Sequence, residues 1–454
     1  MDSTVRNRKM QGTMKEGMSR LESAMSDSVL RFRLMPSRAK FVIFLSGILS
    51  VFFYLYLGHW VFATDSDKAL ESLLDTEKCP ACFGYSACGL LYNKQLKLSG
   101  TSRYRLLDMI NGKNVHFGLL EYDDREVVLK KLATDTELKA TDKMLCEDAK
   151  RQEGCDIARV IVRTDIGAPL FKGDLTPKIL EKTGGFMFYC PSYRLVDRMW
   201  NYFQEFKKKN DIFVSDKMQV LYTGFVNPEP LILQTFPKHQ GWPFPEYIGA
   251  CGRVVVEEHA GKTLSEFFNA PFPVRAALAY QLMQIAETLS TKSDFALYLT
   301  DVSFENFAVD SSGKVTVIDL ENIIVVDTLA IKARKPRGWD EPHEAMFSEC
   351  EGKNCLMFST QDLCSRVKSD HNYNAICRNL LSHYANENGL VGGLLHDMPV
   401  SANDFWDLGN LLEECARPTD KEGRWRAKEK MMVALEDLKE TRGSHTKINK
   451  KAKM

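Results

Sequence analysis

Tyr298-Leu-Thr-Asp301-Val-Ser-Phe-Glu-Asn306, followed by Val317-Ile-Asp319-Leu-Glu321, is the stretch on which the reading of the fold turns. Just upstream, Val274, Leu278, Leu282, Ile285 and Leu289 recur in steps of three and four, which is one apolar face of a helix. A short apolar run at 296–299 leads into Asp301. Between Asn306 and Asp319, apolar runs at 307–309 and 315–318 flank Asp310-Ser-Ser-Gly313, a hairpin signal. Taken singly, Asp301 and Asn306 would pass for turn caps, and Asp319 for a residue at a strand end. The order is what informs: helix, strand, a loop carrying Asp and Asn, hairpin, then a strand ending on Asp.

Phosphoryl transfer needs an Asp to accept or orient the nucleophile's proton, and an Asn and a second Asp to hold Mg²⁺ against the phosphates. In protein kinases these lie as D-x-x-x-x-N, a short hairpin, and D-F-G. Asp301 and Asn306 have that spacing, and Asp319 stands where the second Asp belongs. Upstream, Val127-Val-Leu-Lys130 matches the strand V-A-I-K, whose Lys contacts the α- and β-phosphates. Lys131 adjoins it, and strand alternation predicts that one of the two is buried and the other exposed. The Glu that pairs with this Lys comes from the next helix in a kinase. Glu137 and Glu147 are the candidates. Gly112 is the one glycine at a suitable distance before Lys130 for a phosphate-cradling loop. The expected cofactors are ATP with Mg²⁺ or Mn²⁺. The expected site is Asp301 and Lys130 with a paired Glu for catalysis, Lys130 and Gly112 for the nucleotide, and Asn306 and Asp319 for the metal.

Working outward, the pattern predicts strands at 104–110, 115–121 and 126–132, with Asn111-Gly112 as a turn. A helix is predicted over 135–150 with Asp135 as its N-cap. Another is predicted over 193–208, with Leu195, Met199 and Phe203 on one face. Strands are predicted again at 219–236 and 252–258, and mostly helices from 358 onward. Strands first and helices later indicate an α+β fold of two lobes. The predicted kinase-like N-lobe, with insertions, covers 96–260 and the helical C-lobe 261–440. Residues 64–95 read as a Cys-rich stalk or cap, and the basic tail 441–454 reads as disordered.

The 60 Lys and Arg balance 60 Asp and Glu, which argues against a bulk nucleic-acid binder. Charge is nonetheless uneven. Arg31, Arg33, Arg38 and Lys40 precede residues 41–63, an apolar run long enough to span a bilayer. Acidic residues dominate just beyond it. The basic side stays cytoplasmic, so residues 1–40 are expected in the cytoplasm and the rest in the lumen. The run reads either as a transmembrane signal anchor or as a cleaved signal, with Val61-Phe-Ala63 as the cleavage site. All 12 Cys lie beyond it, which predicts disulfides in an oxidising compartment. Cys79 and Cys82 read as structural, bridged to Cys88 or to a more distant partner, rather than as a redox or metal pair.

These motifs, together with Cys79-Pro-Ala-Cys82-Phe-Gly, Asn227-Pro-Glu-Pro, Gly241-Trp-Pro-Phe, Gly249-Ala-Cys-Gly252 and Gly392-Gly-Leu-Leu-His-Asp397, resemble the divergent protein kinase domain 2 family. This is the "deleted in autism" group, related to the family-with-similarity-69 kinase-like proteins. The likeness runs from about residue 76 to about residue 435. Thr136-Glu137-Leu138 matches a Glu-Leu position of that family, which ranks Glu137 ahead of Glu147. The resemblance implies a secretory-pathway protein of the Golgi or endoplasmic reticulum, membrane-bound or secreted. Its acceptor would be a lumenal or extracellular protein or glycan. Departures from an ordinary kinase are plain: Thr300 replaces the catalytic-loop Arg, Ser303 the catalytic-loop Lys, and Glu321 the Gly of D-F-G. Glu321 is either a further metal ligand or the reason a metal site fails. Two functions compete: an atypical ATP-dependent kinase, and a pseudokinase serving as a binding module or secreted signalling ligand.

Overall fold

In the computed structural model of the protein, residues 73–98, 115–207, 213–346, 358–387 and 389–451 are described, with Pro36, Ser46, Leu49, Ser50 and Phe53 as isolated positions. The chain divides into Met1–Leu70 and Glu71–Met454. Among the described residues no helix is long and apolar enough to cross a membrane. The expected span at 41–63 lies outside the described residues except for Ser46, Leu49, Ser50 and Phe53. So do the expected strand at 104–110, Gly112, Cys350 and Cys355.

The sheet that positions the site has five strands: β1 (Leu96–Leu98), β2 (Val115–Leu120), β3 (Arg125–Lys130), β4 (Tyr247–Cys251) and β5 (Val254–Glu258). They are antiparallel in the order β1-β2-β3-β5-β4. β3 is central, and Val127, Val128 and Leu129 are all buried, as expected of a strand covered on both faces. Its last residue, Lys130, lies opposite Val255 of β5. The segment ahead of β1 runs along the far edge. Phe83 and Ala87 donate to the Gly252 and Ala250 carbonyls, and the Cys88–Cys251 disulfide fixes the contact.

Between β3 and β4 the chain forms α1 (Asp135–Asp148), α2 (Tyr193–Lys207), α3 (Val214–Val226) and α4 (Glu229–Thr235), among shorter turns. The predicted face of α2 is correct: Leu195, Met199 and Phe203 are buried. The predicted strand at 219–236 is not; those residues form α3 and α4. Every residue of α4 is buried, so no polar side remains to reveal a helical period. α1 begins at Asp135, as predicted, but its N-cap is Thr134 rather than Asp135.

The helical half follows. β6 (Lys262–Thr263) leads to α5 (Phe272–Thr291), on which Leu278, Leu282, Ile285 and Leu289 are buried and Val274 half-buried. Next come β7 (Phe295–Leu299), β8 (Phe307–Val309), β9 (Val315–Val317) and β10 (Ile323–Asp327). β8 and β9 form the predicted hairpin with β6 on its edge, and β7 pairs with β10. α6 (His371–Ile376), α7 (Leu408–Ala416) and α8 (Gly423–Lys451) pack beneath, with α5 lying against α6 and α8. α8 takes in residues 441–451, which the sequence had suggested were disordered. A helix already nucleated by packing extends at the cost of one ordered residue per added hydrogen bond.

Among the described residues, five disulfides join ten cysteines: Cys79–Cys82, Cys88–Cys251, Cys146–Cys155, Cys190–Cys364 and Cys377–Cys415. Among the described residues none is free. Cys79 and Cys82 bridge each other, which corrects the expectation of a partner further along the chain.

Candidate active site

Lys130 ends β3 and points into the space between the sheet and the helical half. Its ammonium donates to Glu229 Oε1 at 3.1 Å, to Glu257 Oε1 at 2.5 Å and to the Ile318 carbonyl at 2.6 Å. Strand alternation sends Lys131 the other way, but not to solvent: it is buried on Asp135 at 2.6 Å, with Asp75 beyond at 3.9 Å. Both lysines are therefore withdrawn from water, and the expected contrast of one buried and one exposed does not hold.

The carboxylates that pair with Lys130 are Glu229 and Glu257, not Glu137 or Glu147. Glu137 is exposed and closes the N-terminus of α1. It accepts from Thr134 N at 2.7 Å while its own N–H donates to Thr134 Oγ1 at 3.2 Å, a capping box. Those bonds hold its carboxyl below the usual carboxylate range. Glu229 sits in the first turn of α4. Its backbone N–H is taken by Asn227 Oδ1 at 3.0 Å, and its second carboxylate oxygen accepts from Leu320 N at 3.0 Å. One side chain thus ties β3, α4 and the segment just after Asp319. Asn227-Pro-Glu-Pro carried a readable signal, since Asn followed by Pro opens helices and Glu favours a first turn.

The hairpin brings the remaining residues to the same place. Ile318 N donates to the Asn306 carbonyl at 2.9 Å, and Asn306 Nδ2 donates to the Asp301 carbonyl at 3.3 Å. Asn306 is buried, whereas Asp301 is exposed at the mouth. The Asp301 carboxylate accepts from Asn322 Nδ2 at 3.5 Å. Thr300, in the place of the kinase Arg, donates to the Asn322 carbonyl at 2.6 Å and so closes the loop by a neutral bond. Ser303 is buried.

Negative charge is in excess. Burial, Glu229 and Glu321 push Asp319 up to about 7, against the pull of Lys130. Glu321 is raised by burial, Glu229 and Asp301. It is steered by Asn227 Nδ2 at 2.6 Å on one oxygen and Asn322 Nδ2 at 3.3 Å on the other. Glu257 is raised by burial and by Glu229 and Asp319, and its Oε2 is buried with no hydrogen-bond partner. Lys130 is held protonated by Glu229 and Glu257.

This donor set suits a hard divalent cation. Asn306 and Asp319 offer oxygens to a cation, and the burial and carboxylate neighbours that raise Asp319 are offset when a cation binds. Among the described residues no three His, Cys, Asp or Glu groups form a ready cage. Mg²⁺ is commonly bound without one, through one or two carboxylates and the substrate's phosphates. Of the residues expected at the site, Lys130, Asp301, Asn306 and Asp319 come together, Glu137 does not pair with Lys130, and Gly112 lies outside the described residues.

Comparison with known proteins agrees with this geometry. Residues 221–418 match the family described as the protein-kinase domain of FAM69, a region holding Glu229, Glu257, Asp301, Asn306 and Asp319. Divergent protein kinase domain 2A of Xenopus tropicalis is 44% identical over 378 residues, 80% of this chain and 87% of that protein. The Homo sapiens protein of the same name is 42% identical over 379 residues, again 80% and 87%. Divergent protein kinase domain 2B of Bos taurus is 30% identical over 278 residues, 57% of this chain and 61% of that one.

Proposed function

The chain belongs to the divergent protein kinase domain 2 family, and from that premise we propose that its cleft binds ATP with Mg²⁺ or Mn²⁺ and transfers the γ-phosphoryl group to a hydroxyl of a lumenal or extracellular protein or glycan. One observation carries the proposal. Lys130 meets Glu229, 99 positions away in sequence, and the Ile318 carbonyl beside Asp319, 188 positions away. That is the convergence a phosphate-holding Lys and a metal-holding Asp require.

Lys130 would hold the α- and β-phosphates, and Glu229 fixes where its ammonium points. Asn306 and Asp319 would hold the cation, which neutralises charge on the phosphates. Asp301, exposed at the mouth, takes the proton of the acceptor hydroxyl as its oxygen bonds to the γ-phosphorus. The bond from that phosphorus to the β–γ bridging oxygen breaks, and ADP carries the electron pair away.

The second reading, a pseudokinase acting as a binding module, draws support from Lys130 itself, all of whose donors go to protein acceptors. Binding and turnover separate the two. The wild-type protein is titrated with ATP and Mg²⁺ or Mn²⁺, and ADP release is followed. Asp319→Ala removes metal-dependent binding, while Asp301→Ala keeps binding and loses turnover. Wild-type protein that binds no nucleotide with either cation sinks the kinase reading. Binding without any turnover favours the module.

The same proposal places residues 64–454 in the lumen of the Golgi or endoplasmic reticulum, anchored through 41–63 or released by cleavage. Five disulfides support an oxidising compartment. Protease added outside sealed microsomes spares this region if the topology is right, and digests it if not.

A further inference from the structure

A Lys ammonium has three N–H donors. Those of Lys130 go to Glu229, Glu257 and the Ile318 carbonyl. A phosphate can be held only if one of the three acceptors gives way. The Ile318 carbonyl is backbone, and its own N–H is fixed on Asn306. Glu229 has both oxygens engaged, on Lys130 and Leu320 N, and its backbone N–H on Asn227. Glu257 differs. Its Oε1 rests on Lys130, and its Oε2 is buried without a partner although the residue is only 2% exposed. Lys130 holds Glu257 through one oxygen, whereas Glu229 is pinned from three sides.

We propose that Glu257 is a built-in competitor for Lys130, displaced by the nucleotide's phosphates, and therefore a residue that sets the affinity of the cleft for polyphosphates. The inference rests on the kinase reading of the cleft and adds a residue to it. The surroundings make the exchange feasible. The charged groups acting on Glu257 are Lys130 from β3, Glu229 from α4 and Asp319 beyond β9. Two of the three are negative and already favour the neutral acid. When Lys130 turns to a phosphate, Glu257 loses its counter-ion and takes a proton from solvent, so no second buried anion is stranded. A phosphate delivers more negative charge to Lys130 than one carboxylate does, and it arrives with its own cation.

The test uses the full chain as wild type, Glu257→Gln and Glu257→Met, titrated calorimetrically with ATP and Mn²⁺ and separately with adenosine. Glutamine keeps a neutral acceptor for Lys130, and methionine keeps bulk without one. ATP affinity is expected to rise by about tenfold in Glu257→Gln, the low end for one charge-assisted hydrogen bond, and further in Glu257→Met. Adenosine, which has no phosphate, is expected to bind all three alike. Equal or weaker ATP binding in the variants overturns the proposal and leaves the kinase reading intact. Equal gains in Gln and Met overturn displacement in favour of simple charge removal, and a matching gain for adenosine overturns it in favour of a contact to the base. Wild type and variants that all fail to bind ATP overturn the cleft reading and this inference together. Circular dichroism checks folding, and if one variant does not fold, the other still tests the proposal by its ATP affinity against that for adenosine.

Discussion

The cleft and the layer beneath it are both rich in buried charge, and they are built in opposite ways. In the cleft Lys130 faces Glu229, Glu257 and Asp319, with Glu321 and Asp301 close by, so anions outnumber the cation. Beneath, Arg424 and Asp370 form a closed pair. The guanidinium also donates to the Cys415 carbonyl at 2.6 Å, the Ala345 carbonyl at 3.1 Å and Asn374 Oδ1 at 3.1 Å, while Ala345 N donates to Asp370 at 2.7 Å. The same stretch holds β7. Asn372 accepts from Leu299 N and donates to the Leu297 carbonyl, and His371 donates to the Leu299 carbonyl at 2.7 Å. The Arg424–Asp370 pair is balanced within the protein, whereas the cleft holds more carboxylates than cations. Scaffolds and sites can be told apart by that difference before any activity is known.

The sharpest way to break the comparison is to open the closed pair. Arg424→Met leaves the Asp370 carboxylate buried at 1% exposure with no counter-ion. Loss of one partner of a buried pair costs about 3–5 kcal/mol. Denaturant unfolding should register a loss of that order. The double variant with Asp370→Asn should recover part of it, since no buried charge is then left alone.

Titration separates the two regions next, because their signs oppose. Burial lowers His371 to about 4, below its unfolded value of about 6.5. The native state then binds fewer protons than the unfolded chain between those values. Stability is full above the unfolded pKa and falls as the pH drops through the window, by up to about 3 kcal/mol. Asp319 behaves inversely. Its folded value of about 7 lies above the ordinary value of 3.8, so the native state binds more protons in between. Stability from this group falls as the pH rises through that window. Asp319→Asn should therefore stabilise the ligand-free protein at neutral pH by about 2 kcal/mol, part of the full shift being lost to solvent screening, while abolishing metal-dependent nucleotide binding. Melting curves of Asp319→Asn and His371→Gln between acid and neutral pH check both signs. Parallel changes in the two variants would erase the proposed distinction.

How much of this was legible from sequence depended on chain distance. Asp301, Asn306 and Asp319 stand within one helix–strand–hairpin unit, where local spacing fixes geometry, so that they lie close together was readable. Lys130 was readable as the end of its strand because a strand with a terminal Lys is itself a local pattern. Glu229 was missed because 99 residues separate it from Lys130. The helices between occupy the position where a kinase template expects one helix. α4 is buried on every side, so its apolar run resembles a strand. Glu257 carried no signal, since a Glu near the end of a β-strand ordinarily faces water. The neighbouring Glu258 takes a surface role instead, with its carboxylate on Lys238.

The smallest expected effect decides between Glu137 and Glu229, and it turns on what each carboxylate holds. Glu137 accepts Thr134 N and lies in solvent, so Glu137→Ala gives up half of a capping box, worth about 0.5–1 kcal/mol. It lies near enough to Glu321 to raise that carboxyl slightly, so its removal relieves the cleft rather than harming it. Nucleotide affinity and turnover are expected to stay within about twofold of wild type, a shift of about 0.4 kcal/mol. Glu229→Gln weakens the hold on Lys130 while keeping the side chain's shape, and both affinity and turnover are expected to fall at little cost to folding. Measuring melting temperature and nucleotide binding side by side resolves the pair. A Glu137→Ala protein that melts normally and cannot bind ATP would restore Glu137 as the working partner and show that the Glu229 contact is replaced when ligand enters.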